Sequence, residues 1–280
     1  MTIAVTGATG FIGRHVIAEL RRRGVEPIIA ARNADSARRQ LAGDRIIECD
    51  IHSADPEAFD RLGQPSTLIH LAWGGLPNYA SRSHFEAELP AQYRFLTELV
   101  RAGLNSCLVT GTCLEYGLQA GELDEACSCR PTTPYGFAKE TLRRELEFFR
   151  EDYPFALTWA RLFYTYGDGQ GASSLYSQLK AAALRGDSTF DMSGGEQLRD
   201  YLPVQEVARL LVDLALLRRN AGPVNVCAGQ PVSVRRLAES WLREHGWPLE
   251  LNFGHFPYPE HEPMAFWGAR AKLDSLVVTR

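Results

Sequence analysis

The sequence predicts an α/β fold, a doubly wound parallel sheet followed by a smaller α/β domain, on three observations. Short β-prone apolar runs alternate with helical runs from Ile3 to Leu162, the rhythm of successive strand–helix–strand units. The first apolar run passes directly into glycines three apart, Gly7, Gly10 and Gly13, and an amphipathic run follows at once. Beyond Tyr166 the alternation loosens, as a separate unit would show. The expected division is 1–165 and 166–280, with part of 196–228 packing back on the first domain.

The opening strand ends at Thr6. A helix then reads from Phe11 to about Arg23, with Phe11, Ile12, His15, Val16, Ala18 and Leu20 inward, and Gly24 at its C-terminal stop. A second strand is expected over Glu26–Ala31, with Arg32-Asn33-Ala34-Asp35 as its exit loop and helical residues to Leu41. Arg45–Glu48 is a third strand that runs out through Cys49-Asp50-Ile51, and a brief helix near 56–61 precedes a buried fourth strand at Thr67–Leu71. The loop Ala72-Trp73-Gly74-Gly75-Leu76-Pro77 leads to a long helix over Phe85–Ala102, where Pro90 predicts a kink. Cys107–Thr110 is a fifth strand, a helix begins at Pro134, and Phe155–Leu162 is a sixth strand. In the second domain helices are expected near 173–185, 204–218 and 233–245, the last with Ser233 as its N-cap. A short strand is expected at Pro223–Val226, and 248–263 is a tail rich in proline and aromatics.

At 280 residues, 45% hydrophobic and 23% charged, the chain is composed like an ordinary globular protein and can bury one good core with a smaller companion. A formal net charge of −4 argues against nucleic acid as a partner. The trio Arg21-Arg22-Arg23 falls at a helix C-terminus, where cations suit the dipole. No apolar run approaches the roughly 18–20 residues of a membrane span and no secretory leader is recognisable, so a cytoplasmic protein with no membrane partner is expected. Cys49, Cys107, Cys113, Cys127, Cys129 and Cys227 form no C-x-x-C pair, and the histidines show no ligand spacing. Free thiols and no metal are the expectation.

A strand running into Gly7-Ala8-Thr9-Gly10-Phe11-Ile12-Gly13 and then a helix aims free backbone N–H groups and the positive end of a helix dipole at one point. That is the context in which glycines at this spacing bind a dinucleotide pyrophosphate in a Rossmann-type fold. Ligands of such sheets bind beyond the carboxyl ends of the strands, which makes the loops at 7–13, 32–35, 50–51, 72–77 and 111–116 the floor of one site. A second constellation is Tyr135 and Lys139, four apart on one helix face. A phenol titrates near 10 when unperturbed, and an ammonium held beside it would bring that value down. Thr112, after the fifth strand, is placed to offer a hydroxyl.

With these motifs the chain resembles the extended short-chain dehydrogenase/reductases that act on nucleotide sugars. The shared stretches are Thr6–Gly13, Asp50-Ile51, His70-Leu71-Ala72, Thr112 four before Tyr116-Gly117, Tyr135 with Lys139, and Arg199-Asp200-Tyr201. The resemblance implies Tyr135 as acid/base, Lys139 as its tuning partner and ribose ligand, and Thr112 as the hydrogen-bonder of the substrate oxygen. It also implies Gly7, Thr9, Gly10, Phe11, Ile12 and Gly13 on the cofactor phosphates, Asp50 and Ile51 near adenine, and Leu71, Ala72 and Trp73 along the cofactor. Arg199 would meet the sugar nucleotide's diphosphate. Trp73, Asn78, Cys113, Tyr164 and Arg270 complete the candidate substrate contacts, with Gly74 and His84 nearby.

Departures from the family pattern select the reaction. The nucleotide-sugar dehydratases it resembles carry Asp-Glu after the Thr, whereas Cys113 and Leu114 stand here and neither does a carboxylate's acid–base work. After the second strand, Ala31-Arg32-Asn33 replaces the acidic residue that holds a ribose 2′-hydroxyl. A guanidinium pairs with a 2′-phosphate, so NADP(H) is expected ahead of NAD(H). The expected activity is NADPH-dependent reduction of the 4-keto group of a nucleotide-diphospho-4-keto-6-deoxyhexose. The rivals are an NAD-dependent nucleotide-sugar 4-epimerase, a reductase of a non-nucleotide carbonyl and a catalytically idle NADP-binding regulator. Helices near 85–102 and 134–151 carry apolar residues beyond one face, and in similar proteins such helices pair two chains into a homodimer. Packing on the sheet explains the same residues.

Overall fold

The computed structural model describes residues 2–41, 45–258 and 262–277. Its centre is a seven-stranded sheet made of β1 (Ile3–Thr6), β2 (Ile28–Ala31), β3 (Arg45–Glu48), β4 (Thr67–His70), β5 (Ser106–Thr112), β7 (Ala156–Leu162) and β12 (Gly222–Val226). The strands lie in the order β12-β7-β5-β4-β1-β2-β3, and every pairing is parallel. Strands covered on both faces need apolar residues at every position, and β1 and β4 are buried along their whole length.

Two cores form on opposite faces. Ile3 and Val5 of β1 join Val16, Ile17 and Leu20 of α1 (Phe11–Arg22) and the apolar face of α7 (Val204–Leu217). Ala4, one position out of phase, joins Phe95, Leu96 and Leu99 of α4 (Leu89–Arg101) and Leu142, Leu146 and Phe149 of α5 (Pro134–Asp152). The smaller helices α2 (Ala34–Gln40) and α3 (Ala58–Arg61) close the far side of the sheet. In α1 it is Ile17, not Ala18, that faces inward.

Two boundaries differ from expectation for a physical reason. β5 extends to Thr112 because it pairs with β7 residue for residue from Ser106↔Ala156 to Thr112↔Leu162. The helix expected from Phe85 opens instead as one π-helical turn, His84–Glu88, and Pro90 falls at the start of α4, where its missing N–H costs nothing. Of the apolar residues on these two helices, Leu89, Leu96, Leu99, Leu142, Leu146 and Phe149 are buried within the chain, while Phe137 and Phe148 are exposed.

After β7 the chain leaves the sheet through β8 (Tyr164–Tyr166), which pairs with β11 (Tyr201–Pro203). β9 (Thr189–Asp191) pairs with β14 (Glu250–Asn252), and β10 (Leu198–Arg199) pairs with β13 (Val232–Ser233). β6 (Gly121–Leu123) pairs with β15 (Phe266–Gly268). α6 (Leu175–Arg185) and α8 (Val234–His245) enclose a third core around Tyr176, Leu179 and Trp241, and α9 (Ala271–Leu276) packs against β12. Ser174 caps α6, and Ser233 caps α8 by accepting from Arg236 N. The tail read as proline- and aromatic-rich thus contributes β14, and two short strands, β6 and β15, join its far end to the loop after β5. Among the described residues no helix is long and apolar enough to cross a membrane.

Candidate active site

The turn after β1 has no room for side chains. Gly7 has φ +71°, and a Cβ there would stand 2.7 Å from the Ala72 nitrogen. One on Gly13 would stand 2.1 Å from the Gly7 carbonyl oxygen. Gly10 is the N-cap of α1 and no side chain caps the helix, so its first N–H groups and the positive dipole end face the strand edge open. A dinucleotide pyrophosphate fits this cradle. The backbone of Leu71 and Ala72 lies against Gly7, Arg32 is exposed at the end of β2, and Asp50 after β3 caps a short turn by accepting from His52 N at 3.0 Å. These expected cofactor positions therefore share one edge of the sheet.

α5 starts at that edge. Thr133 caps it by accepting from Gly136 N at 3.1 Å, and Pro134 takes the first helical position. Tyr135 and Lys139 follow one turn apart, 8% and 1% exposed. Tyr135 is boxed by aromatic rings, with centroids at 5.9 Å for Trp73, 5.4 Å for Tyr79 and 5.3 Å for His84. Lys139 Nζ donates to the Thr110 carbonyl at 2.8 Å. Thr112 Oγ1 accepts from Leu114 N at 3.2 Å, which leaves its own proton to donate.

The electrostatics correct one expectation. In the protein alone Tyr135 is raised above the usual phenol range, first by burial and then by the nearby Tyr79, Glu115 and Cys113. Lys139 is brought down by burial to about 7. The ammonium is engaged with a carbonyl and an indole face rather than with the phenol, so desolvation dominates both groups. At neutral pH Tyr135 holds its proton.

Beneath these residues lies a polar network that the sequence did not reveal. Glu115, fully buried, accepts from Thr112 N at 2.8 Å, from Trp159 Nε1 at 3.0 Å and from Arg161 Nε at 2.7 Å. Arg161, 1% exposed, also reaches Tyr116 Oη, Cys129 Sγ and Glu140. Glu115, Cys129 and Glu140 converge like metal ligands, but the guanidinium already stands among them. Two signals were available: Glu115 three residues after Thr112 makes a capping box, and an arginine inside an apolar strand needs a buried partner. A second chain of hydrogen bonds runs from Thr6 through His70 and Gln92 to Glu88. Burial lowers His70 to about 3, with the charge of Lys139 adding to the effect.

The substrate side is less free than expected. Arg199, 3% exposed, is paired with Glu262 at 2.9 Å and donates to the carbonyls of Leu198 and Met264. Arg270 donates to the Cys227 carbonyl and pairs with Asp274. Neither guanidinium stands open. Asp200 accepts from the N–H groups of Ala228, Gly229 and Gly268, which ties the loop after β12 to β15. Cys113 is buried beside Phe163, Tyr164 and Phe266, its thiol pushed up to about 12 by burial and by neighbouring acids, Glu262 foremost. Asn78 has an exposed side chain and spends its carbonyl on His84. A cavity of about 190 Å³ opens past Tyr164, walled by Tyr166, Tyr176, Tyr201 and Trp241.

Comparison with known proteins accords with this geometry. Residues 3–227 match the NAD dependent epimerase/dehydratase family. The dTDP-6-deoxy-L-talose 4-dehydrogenase (NAD(+)) of Aggregatibacter actinomycetemcomitans is 30% identical over 272 residues, covering 96% of this chain and 100% of that one. The dTDP-6-deoxy-L-talose 4-dehydrogenase (NAD(P)(+)) of Kitasatospora kifunensis is 28% identical over 265 residues, covering 89% and 80%. The solved structure of MoeE5 with UDP-glucose and NAD superposes with a TM-score of 0.80 at 29% identity, covering 99% of this chain and 92% of that one. The chain belongs to the NAD dependent epimerase/dehydratase family, and is an NAD(P)-dependent enzyme of the oxidoreductase type.

Proposed function

We propose that this chain interconverts the 4-keto and 4-hydroxy forms of a nucleotide-diphospho-6-deoxyhexose and works as a reductase, with NADPH preferred. The observation that carries the reductive direction is the buried, protonated Tyr135 beside Thr112 and Lys139. The 4-dehydrogenase name of the two relatives describes the same step at C4 run the other way. A nicotinamide cofactor held by the Gly7–Gly13 turn would supply the hydride for C4. Thr112 donates a hydrogen bond from its hydroxyl to the keto oxygen and orients it, keeping its own proton. Tyr135 gives up the proton that completes the alcohol, and the nearby ammonium of Lys139 stabilises the phenolate left behind. The surrounding rings keep water away from the phenol. Cys113 and Leu114 offer no carboxylate for the loss of water that a dehydratase performs, so the sugar keeps its skeleton.

Arg199 meets the substrate diphosphate only after Glu262 gives way, since the carboxylate now holds its outer face. The test is a panel of nucleotide 4-keto-6-deoxyhexoses with NADPH, following loss of the reduced cofactor and identifying the product by NMR. Tyr135→Phe is expected to cut turnover by about 10²–10⁴-fold with NADPH affinity nearly unchanged. Turnover retained in that variant would overturn the mechanism. Interconversion of C4 epimers without net NADPH use would give the reaction to an epimerase.

A further inference from the structure

Trp73, in the loop after β4, touches Lys139 rather than open space. The Lys139 Nζ lies 4.0 Å from the centre of the Trp73 ring, nearer than to the Tyr135 ring at 5.9 Å. With the Thr110 carbonyl 2.8 Å away, the ammonium is clamped between a carbonyl and an indole face. The indole is itself fixed. Its Nε1–H donates to His84 Nδ1 at 3.1 Å, and His84 Nε2–H donates to the Asn78 carbonyl at 2.8 Å. Those two partners assign the imidazole proton to Nε2, and His84 is fully buried. One turn on, Glu88 accepts from Gly74 N at 3.0 Å, and any side chain on Gly74 would strike that carboxylate. The π-helical turn therefore grips the loop at two successive residues.

We propose that Trp73, anchored by His84, is a positioning residue for Lys139, its ring face holding the ammonium in place and charged while Tyr135 works. The inference deepens the assignment of Tyr135 and Lys139 as the reacting pair and rests on it. Burial opposes the charge, and Glu115 and Glu88 support it. The groups that face the ammonium are Glu115 after β5, Glu88 before α4, His70 on β4 and Tyr135 on α5. Glu115 is already shared with Arg161 and Glu88 with His52. In a site this dry the ring quadrupole adds an attraction that those engaged carboxylates supply only in part.

The chain has three lysines, Lys139, Lys180 and Lys272, so NMR of protein labelled at the lysine ε carbon resolves the Lys139 titration without cofactor or substrate. Trp73→Leu is expected to lower its midpoint by about 1–1.5 pH units, the size of a largely desolvated cation–π contact. Trp73→Phe keeps a ring face and is expected to stay within about 0.3 unit of the wild type. His84→Ala keeps the ring but frees it, and should lower the midpoint by less than Trp73→Leu. The alkaline limb of kcat/KM should move with the midpoint. An unchanged midpoint in Trp73→Leu, or in His84→Ala should the leucine variant not fold, would overturn the proposal, as would an equal shift in Trp73→Phe. Because the titration needs no substrate, it decides the clamp even if no nucleotide sugar is reduced.

Discussion

The proposed preference for NADPH turns on one side chain, Arg32. It is exposed at the end of β2, where the neighbouring Asn33 spends its side chain on Ser36 N and Asp35 pairs with Arg38. The loop after β2 thus presents an exposed cation, with the acid that follows it already paired. A ribose 2′-phosphate would find a guanidinium there, whereas a 2′-hydroxyl would lack its usual acceptor. Arg32→Ala should weaken NADPH by about 10–100-fold, the worth of a charge-assisted contact, and leave NADH nearly unchanged. Dissociation constants from cofactor fluorescence check this, and equal weakening of the two would remove the case for NADP. Arg199 teaches the opposite lesson. Its residue type suited a phosphate, but the structure gives it Glu262, 63 positions away in the chain, a partner that no local pattern announces.

What was legible at the scale of elements follows from length and periodicity. β1, β4 and β5 could be read because each is a run buried on both faces, and the long helices because each shows an apolar stripe. The Gly7–Gly13 turn and the Tyr135–Lys139 pair were legible because their chemistry needs short, fixed spacings. β6, β9, β14 and β15 have three residues each, too few to show a period. The Glu115–Arg161 pair was hidden because it joins the turn after β5 to the C-terminal end of β7 across 46 positions. That pair supports the active-site edge, since Glu115 also holds Thr112 N. Arg161→Met would leave Glu115 and Glu140 buried without their shared cation, and should destabilise the fold by about 3–5 kcal/mol. Urea denaturation measures it, and a loss within about 1 kcal/mol, as for an exposed pair, would show that the network contributes little.

Across the whole molecule, the groups held below their usual pKa make stability rise with pH, each in its own window. His70, held between Thr6 Oγ1 and Gln92 Oε1, is brought from 6.5 to about 3 in the folded chain, chiefly by burial. Below pH 6.5 the unfolded chain therefore takes up a proton that the folded chain refuses, so stability falls with pH down to about 3. Lys139 works in another window. Its folded value near 7 lies below the ordinary 10.5, so stability rises as pH climbs from about 7 towards 10.5 and is level in this respect below 7. Glu19 is lowered to about 2, first by its hydrogen bond to Arg22, and adds a further loss in acid from 4.5 downward. Between pH 6.5 and 4.5 His70 is the group among these three that sets the slope, at up to about 1.4 kcal/mol per pH unit. Urea unfolding at pH 6.5, 5.5 and 4.5 should show that slope in the wild type and a slope flatter by about that amount in His70→Gln. The substitution removes the titrating ring while keeping hydrogen-bonding capacity between β1 and α4. Parallel curves for the two proteins would mean that His70 gains its proton in the folded state as readily as in the unfolded one, and that β4 is open to water where the fold has it sealed.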